Sequence, residues 1–140
     1  MDFLQEFNRI MTEQCEIALA TCVDNIPNVR IVNFYYDTKK KGIVYFSTFK
    51  DNQKVEEFSK NNIVAFTTVP HKENEHVRVT KAIIQKSNLT IYDLKDGFAK
   101  KIPDYEVTIE QAGSQLALYE ICFKEAVVTL DLTHSSNIIL

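Results

Sequence analysis

Two cations in this chain stand in unusual company. Arg30 alternates with Val32, Phe34 and Tyr36 on one face of a strand-like run. A guanidinium among apolar side chains needs a counter-charge, because an unpaired buried charge is costly. Lys54 falls in the first turn of a helical pattern, at the third helical position if Asp51 is the cap. A cation there faces the positive end of the helix dipole, an unfavourable placement of about 0.3–1 kcal/mol. A bound phosphate would account for both, since helix-start amides and a lysine can donate to it together. Ser47, Thr48, Asn52 and Gln53 supply neutral donors nearby in sequence. Apolar strand surface running away from them would carry a flat ring, so the implied ligand is a phosphorylated aromatic. The alternative for each cation is an ordinary solvated surface charge.

Other chemistries find less support. There is no P-loop, no G-x-G-x-x-G, no H-E-x-x-H and no C-x-x-C. His71, His76 and His134 lack metal-ligand spacing, so no metal site is expected. No Ser/His/Asp set stands out, which argues against a nucleophilic hydrolase and leaves no catalytic side chain to assign. The net charge of −3 exerts no global pull on nucleic acid or anionic membrane, and neither is expected as a partner. No apolar run is long enough to span a bilayer. The acidic, amphipathic start does not read as a signal peptide. Cys15, Cys22 and Cys122 read as reduced thiols, and a cytoplasmic location is expected.

These residues must be positioned by a chain of 140 residues with an apolar fraction of 45%, enough for one domain with its own core. Residues 2–14 carry Phe3, Phe7, Ile10 and Met11 at helical spacing. Residues 16–23 read as a buried strand, 24–28 as a turn, 29–36 as a second strand, 37–42 as a lysine-rich hairpin turn and 43–48 as a third strand. A helix over 52–61 follows, then strands over 63–69 and 76–86. A helix is expected over 88–101, weakened by Gly97. Residues 106–117 have no clear pattern, 119–132 read as a sixth strand, and the tail has none.

The connections between early strands are too short for parallel crossovers. The fold class expected is mainly β: an antiparallel six-stranded split barrel, Greek-key-like, with flanking helices. Strand 29–36 is apolar on both faces, with Val29, Ile31 and Tyr35 opposite Val32, Phe34 and Tyr36. A barrel hides only its inner face in its own core. With few helices available, a homodimer is the expected cover.

Four segments in this order, 18–23 (ALATCV), 27–32 (PNVRIV), 44–48 (VYFST) and 54–58 (KVEEF), resemble the pyridoxamine 5'-phosphate oxidase-like split-barrel flavoproteins. The similarity runs from about residue 5 to 86, with a looser match in the last strand. It implies an FMN-binding dimer with the flavin near the subunit interface. By the resemblance, Arg30 and Lys54 match the phosphate cations. Ile31, Val32 and Asn33 match the strand backbone beside the ring, and Phe46 and Ser47 the strand-end pair on its ring and ribityl side. Asn52 and Gln53 stand where many relatives carry Arg or Ser. True pyridoxamine-phosphate oxidases end in an Arg/His substrate motif. Residues 134–140 (HSSNIIL) do not match it, so oxidation of vitamin B6 is not expected. The resemblance instead implies an FMN-dependent oxidoreductase passing electrons from a reduced nicotinamide to a small acceptor of nitroaromatic or quinone type. A non-catalytic flavin- or haem-binding, stress-related protein is the alternative, and some family members take a deazaflavin.

Overall fold

The computed structural model describes all 140 residues. Helix α1 (Phe3–Glu13) starts at Asp2, whose carboxylate accepts from the Gln5 N–H at 3.1 Å, and buries Phe7, Ile10 and Met11. Strands β1 (Glu16–Val23) and β2 (Ile26–Asn33) form a hairpin in which Val23 pairs with Ile26. Its two turn residues, Asp24 and Asn25, both have positive φ, at 52° and 66°. That conformation matches strand twist and suits Asp and Asn. The turn is therefore tighter than the sequence suggests, and β2 begins three residues earlier. Pro27 is tolerated because β2 lies at the edge of the sheet. The expected strand over 29–36 divides into β2 and a short β3 (Tyr35–Tyr36).

Strand β4 (Ile43–Phe49), helix α2 (Gln53–Lys60), β5 (Ile63–Thr68) and β6 (His76–Lys86) lie close to expectation. The expected helix over 88–101 is shorter, α3 (Lys95–Lys101). A further helix, α4 (Tyr105–Ala112), and a 3-10 turn, Gly113–Gln115, fill the segment without pattern. Beyond them lie β7 (Leu116–Cys122), β8 (Glu125–Thr129) and β9 (Ser135–Ile139). The expected sixth strand is thus two strands broken at Phe123 and Lys124, and the tail is a third.

All ladders are antiparallel. The nine strands run β2-β1-β5-β6-β7-β4-β3, with β8 and β9 continuing from β6. β2 and β4 touch without forming a ladder, so the sheet curls into a barrel that stays split there. Inside lies one core, into which α1 packs Phe7 and α2 packs Phe58. The mainly β, antiparallel split barrel is as expected from sequence, with nine strands in place of six.

A smaller core sits outside the barrel. Tyr45 and Leu118, on the outer faces of β4 and β7, pack under Phe98, Ile102, Tyr105 and Ile109 of the α3–α4 region. Gly97 lies against the Tyr35 ring, where a Cβ would come within 2.5 Å of Cζ. The glycine that weakens α3 as a helix is what lets it approach the sheet. Part of the outer face is therefore covered by the chain's own helices. The β2 end stays open, with Val29 and Ile31 63% and 55% exposed.

Candidate functional site

Between the edge of β2 and the end of β4 lies an open cleft of about 380 Å³. Ile31, Val32 and Asn33 form one wall, Ser47, Thr48 and Phe49 another. Because β2 pairs only with β1, its far edge carries backbone N–H and C=O groups outside any ladder. Such an edge can read the polar rim of a planar heterocycle.

The start of α2 closes one end. Its cap is Asn52, not Asp51: the Asn52 Oδ1 accepts from the Lys54 N–H at 2.9 Å. Lys54 is accordingly the second helical residue. Its side chain lines the cleft and belongs to no ion pair. Burial, and then the Arg30 charge, push its pKa below the ordinary lysine value, while Glu57 pulls it back up. An anion in the cleft would relieve that strain on the ammonium.

Arg30 stands close by but is engaged. It faces inward, paired across the hairpin with Leu19, and forms an ion pair with Glu57 of α2. Its Nη1 also donates to Thr21 Oγ1 at 2.9 Å. Asn28 Nδ2 donates to the same Glu57 carboxylate at 3.3 Å. The counter-charge that the sequence demands for Arg30 is therefore present within the chain.

The sequence-derived set is brought together only in part. Ile31, Val32, Asn33, Ser47, Thr48, Asn52 and Lys54 share the cleft. Phe46 does not: it points into the barrel, fully buried, with its ring 5.9 Å from Tyr119 and 6.0 Å from Phe58. Gln53 lies on the other side of α2, in a separate hollow with Glu56 and Lys60.

Phe49, Tyr105, Thr108 and Leu116 also line the cleft and are not among the residues expected from sequence; Tyr105 is the one that bonds to an expected residue. It opens α4, is 8% exposed, and its hydroxyl is hydrogen-bonded to Ser47 Oγ. Burial raises its pKa, and the Ser47 bond opposes this. Tyr105 lies between the helix expected over 88–101 and the patternless segment 106–117, so no local signal marks it. The cleft therefore offers one uncompensated cation, hydroxyl and amide groups, and a strand edge. These groups can bind and orient a ligand in the cleft. This donor set fits a flat heteroaromatic with an anionic tail.

A family model described as pyridoxamine 5'-phosphate oxidase-like matches residues 10–135. No curated protein matches the chain. Among solved structures, General Stress Protein 26 from Bacillus anthracis is similar over 100% of both chains, with 14% identity and a TM-score of 0.73. A FAD-binding protein from Mesorhizobium loti is 15% identical over 90% of each chain, with a TM-score of 0.65. A heme binding protein from Mycobacterium smegmatis is 9% identical over 99% of this chain, with a TM-score of 0.75. The chain spans 58% of that protein's length. At these identities the likeness is one of fold. The family match covers strands β1 to β8 and the whole cleft, and the chain belongs to the pyridoxamine 5'-phosphate oxidase-like family.

Proposed function

We propose that this chain is an FMN-binding protein that works as a homodimer and passes electrons from a reduced nicotinamide to a small nitroaromatic or quinone acceptor. The observation that carries the reading is the unpaired Lys54 at the start of α2, facing a cleft walled by the free edge of β2. Lys54 would hold the phosphate, with the Thr48 hydroxyl beside it. The backbone of Ile31 to Asn33 would hold the polar rim of the ring. The isoalloxazine would supply the redox chemistry when bound. No general acid or base is then required of the chain. Val29 and Ile31, exposed on the outer face of β2, supply an apolar surface for a second subunit.

The flavin reading is supported by the FAD-binding relative, and a haem reading by the heme-binding one. His71, His76 and His134 all lie off the cleft, which favours flavin. The visible spectrum of the purified protein separates the two at once. FMN should then raise the melting temperature more than riboflavin does, through a phosphate-specific site. Equal shifts from both ligands would refute the phosphate site. Absence of any FMN effect on a colourless protein would refute the flavin reading. Anaerobic mixing with NADH or NADPH should bleach the bound flavin, and no bleaching by either would remove the oxidoreductase role.

A further inference from the structure

A second concavity lies away from the cleft and shares no lining residue with it. It is a trough of about 650 Å³ on the outer face of β4, β7 and β6. Its cause is a gap in the sheet. β7 pairs with β6 at residues 83–86 and β8 pairs with it at 76–78. Between these ladders β6 has no neighbour on that side. Here β6 also bulges against β5, and Lys81 adopts a left-handed φ of 58°. Bulges of this kind re-aim side chains, and Lys81 is carried to the outside.

Strand register arranges the trough in rows. Ile43 pairs with Cys122, and Cys122 with Ile83, so these three lie side by side on the outer face. Ile63, the partner of Ile83, continues the row beyond the trough onto β5. Four strands at about 4.8 Å spacing make an apolar row roughly 14 Å long. Lys41, Lys124 and Lys81 each lie two residues from a member of the row, and antiparallel pairing brings all three to its same side. All three are exposed, line the trough and belong to no ion pair. Glu125 is the one acidic side chain lining it. An apolar channel beside an unpaired cationic rim is complementary to an amphipathic anion, and its concavity suits one chain better than a flat surface.

We propose that this trough binds a single-chain alkyl carboxylate, with the chain along the Ile43–Cys122–Ile83 row and the carboxylate on the lysine row. Cys122 is a built-in reporter. Its thiol lies in the row, while Cys15 and Cys22 lie elsewhere and are similarly half-buried. With the full chain and laurate as probe, alkylation of Cys122 followed by peptide mass spectrometry should slow about tenfold or more at saturation. Cys22 should be unaffected. Dodecyltrimethylammonium, with the same chain and the opposite charge, should protect far less. The Lys81→Gln/Lys124→Gln double variant should weaken laurate protection by roughly tenfold while alkylating normally without ligand. Unchanged Cys122 reactivity in laurate would overturn the proposal, as would equal protection by the cationic amphiphile. Protection that grows with protein concentration alone would overturn it in favour of an interface between copies of the chain. None of these outcomes depends on whether FMN binds the cleft.

Discussion

Arg30 and Glu57 are joined by an ion pair at the mouth of the barrel, with side chains 16% and 15% exposed. The strand cation that would meet a phosphate is thus already neutralised, and Lys54 is the only uncompensated cation of the cleft. Glu57→Gln should release Arg30 for a phosphate. FMN binding should tighten by roughly tenfold, the size of one charge-assisted hydrogen bond. Stability of the free protein should fall by about 1–3 kcal/mol, because a part-buried guanidinium loses its partner. Fluorescence titration with FMN and urea unfolding measure the two effects. Unchanged affinity would mean that Arg30 cannot reach the ligand.

Lys54→Ala should weaken FMN binding by about ten- to a hundred-fold. The free protein should be no less stable, since the lysine sits at the positive end of α2. In the wild type, affinity should decline with rising pH, starting below the ordinary lysine range because the Lys54 pKa is lowered. Titrations of both proteins across the alkaline range check this, and the decline should be absent in the variant.

Lys101 sits under α1, its Nζ 2.8 Å from the Met11 carbonyl and 3.4 Å from the centre of the Phe34 ring. Burial lowers its pKa to about 7. Between about pH 7 and the ordinary value of 10.5 the unfolded chain binds a proton that the folded chain lacks. The destabilisation is fully present below about pH 7 and is lost as pH rises toward the ordinary value of 10.5. The ring face and the helix carbonyl favour the ammonium and reduce the net effect. Lys101→Met should therefore be more stable than wild type by roughly 1–3 kcal/mol in mildly acidic buffer. The difference should shrink in alkaline buffer. Urea unfolding at the two pH values tests it.

Gly97→Ala should destabilise by about 1–3 kcal/mol, although alanine is the better helix former. The added Cβ would overlap the Tyr35 ring, which is held by Phe98 on its other contacts. The double variant Gly97→Ala/Tyr35→Ala should show less loss than the two single changes summed, measured by thermal unfolding.

Ile31→Asp should weaken self-association, since the side chain is exposed on the open face of β2. Sedimentation equilibrium should show a dimer for the wild type and a shift toward monomer for the variant. A monomeric wild type at micromolar concentration would remove the homodimer.

Much of this architecture is legible in local patterns. Helical spacing marks α1 and α2, and alternation marks Val32, Phe34 and Tyr36 as inward residues of β2 and its neighbours. Both periods are properties of a short window of chain. They also set the placement of Lys54 in a first helical turn, one residue off, and the demand that Arg30 find a counter-charge. They could not say which carboxylate answers it. Glu57 lies 27 positions away, and only the docking of α2 on the barrel mouth brings it there. In the same way Ser47 meets Tyr105 across 58 positions, from a residue that belongs to none of the patterned segments. The apolar and lysine rows of the trough are invisible along the chain, because each draws its members from separate strands. Cross-strand neighbours are set by register between distant segments, and register follows from how the whole sheet closes around its core.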